Sequence, residues 1–576
     1  MYLREHRVRK PGGGHYTYYR LVESYREGDK VKQRVVAHLG ALSQAEKEYL
    51  ARRFAELAGI ELSDDLAELE VAGCRYFGAP LLVEHLLEVL GLERWVSEAV
   101  ACRRLEFSVA DALKVMVCAH LFKSGSRAEW AVWEWQQKLF WYPHRVANLE
   151  YQRLLRSLAV LEGLREGIER KLYLRLRDLF DVKLDVAFYD LTSSYVEGGA
   201  EWSEKLRHGY SRDKRGDCKQ VVIGVVVTGE GFPITFRVFE GNRLDKETLD
   251  EMVKELSGRF SVRRCIWVSD AGLLTERNVE LLRSSGYEYI FGLGGSDVRV
   301  LLREAIGRAK ELEQREFGET KFWEMASGER AGERVILVES EGRRQKTAAI
   351  LERRLERVRE GLRRLQEQVK KGRYVEVDDI RVEAEKVLHG SRVRKYFSYK
   401  ASRGRFSWRE DKEAVQRRKA EAGKYGILTN ACLDGRAVLE AYRTLVKVED
   451  VFLVLKDVLE LRPFWHKCDE NIEGHILLAL WSYLVYKTLE QMLERAGVKL
   501  PAERALEAVK EVRAIEVAVR ERAVWKLMRV PPAAKRVFEA VGIRNLKSQF
   551  NEWAKEAPRY EYHPRCVRKV LAASSR

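Results

Sequence analysis

From Lys183 onward the hydrophobic pattern changes period, and that change limits the fold more than any other feature of this 576-residue chain. Upstream, from about 61 to 180, apolar residues recur at helical spacing in stretches such as APLLVEHLLEVLGLERWV and ADALKVMVCAHLF, punctuated by Gly and Ser-Gly-Ser. Downstream, LDVAFYDLTSSYV carries the β-branched and aromatic residues that suit a strand, and KQVVIGVVVTGEGFPITFRVFEGN reads as two more strands joined at Gly-Glu-Gly. LDKETLDEMVKELSGRF then has a helical period with Asp245 as its candidate N-cap. CIWVSD is a short buried strand, TERNVELLRSSG a helix and YEYIFGLGG a further strand.

Three antiparallel strands, a helix, a strand, a helix and a strand follow the order of a ribonuclease-H-like core, an α/β fold with a mixed sheet and flanking helices. The other segments arrange themselves around it. Residues 1–60 form a small β-rich region, with HYTYYRLVESYR and KVKQRVVAHLG as a hairpin about Glu27-Gly28-Asp29. Residues 61–180 are helical and hold Trp130, Trp133, Trp135, Trp141 and Tyr142, a spacing that more often means core than a stacking platform. Residues 181–300 and 421–490 are the two parts of the core, the second carrying the longest helix, about Arg436 to Glu460. Between them, 301–420 is a β-plus-helical insertion, and 491–576 is an all-helical C-terminal region.

Within the insertion, KFWEM and ERVILVES suit strands, DDIRVEAEKVLHG a returning helix and YFSYKASRGRFSW a strand pair. Leu351, Leu355, Val358, Leu362, Leu365 and Val369 follow one another at steps of four and three, an apolar helical seam with a strongly basic back. Two readings stand level: a hairpin packed on the core with solvated arginines, or an arm that faces a polyanion.

A polyanionic partner is what the composition suggests. The formal net charge is +16 and the sequence pI about 9.3, which favours nucleic acid first and a membrane surface second. The longest apolar stretch, Ile476 to Tyr486, ends at Lys487 and is too short for a bilayer, and the charged N-terminus MYLREHRVRK is no signal core. These features suggest a soluble intracellular protein. The eight cysteines include no CxxC pair. His466 with Cys468, and His563 with Cys566, each lack a second pair at zinc-binding spacing, so free cysteines are expected.

Three carboxylates carry the candidate chemistry. Asp190 lies on the first core strand and Asp270 ends CIWVSD. Either alone suits a turn cap. On neighbouring strands, however, they emerge side by side and repel unless a cation lies between them, and oxygen ligands suit magnesium. The third is Glu449, seven residues after Tyr442 and seven before Lys456, expected within the apolar stripe Val438, Tyr442, Leu445, Phe452 and Leu459. Pairing with Lys456 or Lys447 is its structural alternative. Asp450 is the rival acid, turned about 100° away on the same helix.

YDLTSSYVEG, the block GYSRDKRGDCKQVVIGVVVTGEGFPITFRVFEGN, WVSDAGLLTERN, and the spacing Tyr442–Glu449–Lys456 with Leu445 between resemble the motifs of DDE-type insertion-sequence transposases. The resemblance is to the superfamily named after insertion sequence four, closest to its subgroup with a long insertion before the catalytic Glu, and LRPFWH suits that subgroup too. It spans about 185–485. It implies cut-and-paste transposition: metal-dependent strand cleavage and strand transfer at the ends of an insertion sequence. Asp190, Asp270 and Glu449 would be both catalytic and metal-binding, holding two Mg2+ ions, or Mn2+ as substitute, about 4 Å apart. It further implies that Lys456 contacts a phosphate at the transposon end and that Tyr442 helps position it. Arg212, Lys214, Arg215 and Lys219 would add backbone contacts, with Asp213 and Asp217 as turn residues among them. Residues 61–180 would bind the DNA end. The partners implied are double-stranded DNA, as terminal repeats and target, and a second copy of the chain on that DNA, in a prokaryotic cytoplasm. A decayed DNA-binding relative, a ribonuclease-H-like nuclease without strand transfer, and a basic helical scaffold are the alternatives.

Overall fold

The computed structural model describes residues 2–9, 15–27, 30–40, 69–126, 128–140, 149–198, 202–262, 264–294, 312–326, 332–519 and 522–556, together with 304, 307 and 308. It divides into two compact units, one of Met1–Lys183, Leu191–Arg243 and Glu449–Arg576, the other of Leu184–Asp190 and Leu244–Val448.

The first unit opens with β1 (Tyr2–Arg9), β2 (His15–Glu27) and β3 (Lys30–Gly40), an antiparallel sheet in the order β1-β2-β3. The expected hairpin is therefore β2–β3 and has a third strand beside it; the turn residues Gly28 and Asp29 lie outside the described residues. Strand β4 (Leu69–Tyr76) comes next, at the head of what the sequence reads as purely helical. Helices follow as α1 (Gly78–Leu90), α2 (Leu92–Val100), α3 (Val109–Phe122), α4 (Glu129–Gln136), α5 (Tyr151–Glu162) and α6 (Arg165–Phe180). Helix α3 is buried along nearly its whole length, and the Ser108 hydroxyl caps it by accepting the Asp111 N–H at 3.1 Å. Of the tryptophan cluster, Trp135 is buried as expected, Trp130 is exposed, and Trp141 and Tyr142 lie outside the described residues. Strand β5 (Val186–Tyr195) passes from the second unit into the first, where it is followed by β6 (Gln220–Val227) and β7 (Pro233–Glu240) in the order β5-β6-β7. Every residue of β6 is buried, as its unbroken apolar run requires.

In the second unit the first helix, α7 (Leu249–Arg259), starts after Thr248 rather than at Asp245. Asp245 begins a single 3-10 turn, Asp245–Glu247, and so does not cap α7. Then come β8 (Ile266–Ser269), α8 (Glu276–Ser284), capped by Thr275, and β9 (Glu288–Gly292). Strand β8 is parallel to both β5 and β9. Strands β10 (Arg315–Phe317), β11 (Thr320–Ala326) and β12 (Arg334–Ser340) add antiparallel strands, with β12 paired to β15 (Lys424–Thr429) and β15 to β9. The order through this unit is β10-β11-β12-β15-β9-β8-β5. KFWEM and ERVILVES are thus strands, but they extend the core sheet instead of belonging to a separate insertion. The result is a mixed α/β fold with a ribonuclease-H-like order of elements.

What is inserted lies between β12 and β15: α9 (Glu341–Lys370), α10 (Val377–Leu388), β13 (Phe397–Ser402), β14 (Arg405–Glu410) and α11 (Lys412–Ala420). It has its own core. Leu355, Val358, Leu362, Leu365 and Val369 of the α9 seam are buried together with Ile380, Ala384, Leu388, Phe397, Phe406 and Val415, and Leu351 is partly buried beside them. Gly361 permits the close crossing of α9 and α10, since a Cβ there would sit 2.6 Å from a Val387 methyl.

The expected longest helix is broken. Helix α12 (Gly435–Thr444), capped by Asp434, ends at Leu445; α13 (Val446–Leu453) follows and closes in a π turn, Val454–Val458. At the junction the Leu445 N–H reaches the Tyr442 carbonyl at 3.2 Å and the Val448 N–H the Leu445 carbonyl at 3.0 Å, three-residue bonds that tighten the turn and reset the helix phase. Helix α14 (Asp469–Arg495) is apolar on most sides because it is buried, and no described helix is long and apolar enough to cross a membrane. After α15 (Ala502–Lys510) the chain forms the hairpin β16 (Arg513–Val519) and β17 (Arg522–Leu527), with β16 paired to β4. The C-terminal region is therefore not all helical; α16 (Pro532–Ala540) and α17 (Leu546–Glu556) complete it.

Candidate active site

Parallel pairing of β5 with β8 fixes the first two acids. Val186 is level with Ile266, Ala187 with Trp267 and Phe188 with Val268. Continuing that register sets Tyr189 beside Ser269 and Asp190 beside Asp270, on strands about 4.8 Å apart. The Ser269 hydroxyl donates to the Tyr189 carbonyl at 2.9 Å, which holds the two strand ends at this level. Tyr189 points into the core and donates its hydroxyl to Thr248 Oγ1 at 2.8 Å, so Asp190 falls on the opposite face and is half-buried. Asp270 is exposed and accepts the Gly272 N–H at 2.8 Å, closing a tight turn that aims its carboxylate.

A third acid here escaped the sequence reading. A Cβ added to Gly272 would lie 3.1 Å from Asp270 Oδ1 and 3.8 Å from Asp245 Oδ2, so both carboxylates flank that glycine. Burial pushes the Tyr189 phenol well above its ordinary range, and the carboxylates of Asp190, Asp245 and Glu251 push the same way. The signal for Asp245 was present, as an acid just past the third strand, but its cap-like setting before a helix concealed it.

Glu449 stands on α13 and is exposed, as is Asp450; the expectation that Glu449 is buried in the apolar stripe does not hold. With the phase reset at Leu445, the buried seam runs through Leu445, Val448, Phe452, Leu455 and Leu459, and Glu449 falls one residue off it. Tyr442 lies over β9: a Cβ on Gly292 would collide with its hydroxyl, and the Tyr425 ring is 6.1 Å away.

Lys456 has a protein partner. Its ammonium meets Asp213 Oδ1 at 2.9 Å, and Arg462 bonds the same oxygen. The Lys456 and Asp213 side chains are only 10% and 5% exposed, so Asp213 is a buried counter-ion and not a simple turn residue. Burial pushes the Lys456 ammonium down to about 8 and nearby Arg212 adds to that, while the Asp457 carboxylate favours the charged form. In the same loop, Arg215 bonds Asp217 at 2.9 Å and Glu197 at 3.3 Å and lies over the Tyr195 ring. Hydrogen bonding to Arg215 holds the Asp217 carboxyl well below its usual range. Lys214 is exposed, Arg212 and Lys219 half-buried, and the Arg212 N–H is held by Ser193 Oγ at 3.2 Å.

The described residues contain one cluster whose His and carboxylate atoms all lie within 4.8 Å of one another: Glu129, His466 and His475, each buried. His466 Nε2 lies 3.6 Å from Glu129 Oε1. Neither ring nitrogen of His475 makes a hydrogen bond of good geometry, though the Leu461 backbone lies close enough to act on the ring. Burial pushes the Glu129 carboxyl up to about 7 and the His475 imidazole down to about 4, and holds His466 well below its ordinary value. No sequence spacing announces this set, because Glu129 is remote along the chain. Cys468 is not part of it, and the His563–Cys566 pair lies outside the described residues.

A mixed sheet with Asp190 on one strand and Asp270 just past the end of its parallel neighbour suits the DDE-type transposases. The profile of the Transposase DDE domain matches residues 182–485, more than half of the chain, and the chain belongs to that family. Residues 3–63 match the N-terminal domain of the IS1634 family transposases. No curated protein matches the chain. Among solved structures, a cryo-EM structure of piggyBac transposase in a synaptic complex with hairpin DNA is 12% identical over 86% of this chain and 84% of that chain, with a TM-score of 0.36.

Proposed function

We propose that this transposase moves its own insertion sequence by cut-and-paste, cleaving DNA at the terminal repeats and joining the freed 3′ ends to target DNA. Within the DDE transposases we assign it to the superfamily named after insertion sequence four. The observation that carries the reading is the β5–β8 register, which, continued two residues on, brings Asp190 level with Asp270, inside the segment 182–485 that matches the DDE domain.

The donor set fits a hard divalent cation: two carboxylates side by side, one half-buried and one steered by the Gly272 N–H, offer oxygens and no soft ligand. Asp190, Asp270 and Glu449 would hold Mg2+, or Mn2+ in its place, as a pair of ions. Bound there, the metal supplies activation of water or a 3′-hydroxyl and stabilisation of the leaving oxygen. The chain supplies position. Tyr189 and Ser269 fix the strand end under Asp190, and the tight turn at Gly272 orients Asp270. Lys214, Arg212 and Lys219 contact the DNA backbone directly. Lys456 and Arg215 do so by exchanging the carboxylates of Asp213 and Asp217 for phosphate, and Tyr442 positions the DNA end. The active species on DNA is a homodimer that pairs two ends.

The test is an assay with the element's terminal repeats and Mg2+. Cleaved 3′ ends joined to a target duplex support the reading. Cleavage without joining makes the chain a nuclease, and binding without cleavage makes it a decayed transposase.

A further inference from the structure

We propose that Glu129, His466 and His475 form a zinc site that clamps the segment between α13 and α14. The donors come from three places: the first residue of α4, the loop after the π turn, and the first third of α14. All three belong to the first unit, and none is an acid of the proposed catalytic set.

Geometry distinguishes a metal site from a hydrogen-bonded trio. At 3.6 Å, His466 Nε2 and Glu129 Oε1 are too far apart for a hydrogen bond. A tetrahedral zinc ion with bonds of about 2.0 Å separates its ligand atoms by about 3.3 Å, close to that spacing. His475 is 3% exposed; neither of its nitrogens makes a hydrogen bond of good geometry, and only the Leu461 backbone lies near enough to act on the ring. With one ring nitrogen turned to the Leu461 backbone, the other is left for an ion to satisfy. Two imidazoles and a carboxylate suit zinc and its neighbours and disfavour magnesium, which takes oxygen donors. A fourth, non-protein ligand such as water completes a tetrahedron of this kind.

The site's place suggests its use. The Phe464 ring stacks at 21° on His466 and lies 6.1 Å from His475. The Phe464 backbone extends β5: it bridges Val196, and its carbonyl accepts the Glu197 N–H at 3.0 Å. An ion on His466 and His475 thus fastens the chain leaving α13 to the end of β5 and to α14.

The full-length protein, stripped with chelator and titrated with zinc alone, should bind one equivalent as read by elemental analysis. With cobalt in its place it should give the visible absorption of a tetrahedral nitrogen–oxygen site. Loss of an outer-shell partner alone commonly weakens such sites 10- to 100-fold, so His475→Ala and Glu129→Gln, which remove ligands, should lower zinc affinity by about tenfold or more. Asp190→Ala should bind zinc as the native chain does. Glu129→Gln keeps the side-chain shape, so it carries the test if His475→Ala fails to fold. Absence of stoichiometric zinc from the native chain, or unchanged zinc and cobalt signatures in folded Glu129→Gln, would overturn the site.

Discussion

Like charges on adjacent strand ends repel, and the β5–β8 register, with the Ser269 hydroxyl on the Tyr189 carbonyl, leads Asp190 and Asp270 to the same level. A fold that keeps such a pair has a use for it. Asp190→Ala and Asp270→Ala should each abolish strand cleavage and transfer while DNA binding, read by gel shift, persists, and melting should be unchanged or rise as the repulsion is relieved. Glu449→Ala should do the same, with Asp450→Ala active as its control. Both residues are exposed on α13, so neither change disturbs the core and the comparison is clean. Activity that survives at 449 and vanishes at 450 would transfer the role to Asp450. Asp213 behaves differently. Asp213→Ala leaves Lys456 with an uncompensated charge in a mostly buried site, while Arg462 keeps Asp457 at 3.3 Å, a loss of the order of 3–5 kcal/mol. A large drop in melting temperature is the expected readout, and a melting curve like that of the native chain would refute the structural role.

At the scale of elements, the packed reading of α9 is seen directly, while the DNA-facing one is left to experiment. Its seam is the core of the inserted subdomain, and Arg353, Arg357 and Arg364 are exposed on its back. Replacing those three by Gln should weaken DNA binding and leave melting intact, whereas Leu362→Ala should cost about 2–5 kcal/mol. If the triple variant melts early and binds normally, the arm is scaffold alone. That seam was legible because both its residues and their steps lie in one helix. So were β5 to β9, where continuous β-branched runs match buried strands. The break at Leu445 was hidden because the seven-residue steps from Val438 to Leu445 to Phe452 to Leu459 look continuous across it. Strands β16 and β17 were missed although Ile515, Val517 and Val519 alternate, since Glu516, Ala518 and the charged run Arg520-Glu521-Arg522 also suit a helix. Lys456 and Asp213, 243 residues apart, could be paired only by the fold, and Glu129 met His466 in the same way.

For the whole molecule the relevant quantity is the share of the +16 charge that is free to meet phosphate. Part of it is committed internally: Arg359 binds Glu352, Glu356 and Glu410, and Arg334 binds Glu324. Exposed cations such as Lys214 and Arg353 remain available on their respective units. Affinity for duplex DNA should therefore fall linearly with salt on a logarithmic scale, with a slope of about −0.9 for each phosphate neutralised. The committed and available groups then separate in one experiment. Lys214→Gln should make the slope shallower by about one and leave melting unchanged. Arg359→Gln, whose hydrogen bonds to three carboxylates already hold its charge, should leave the slope alone and lower the melting temperature. A slope that responds to Arg359 and not to Lys214 would mean that the internal ion pairs open on DNA, and the assignment of contacts would have to be reversed.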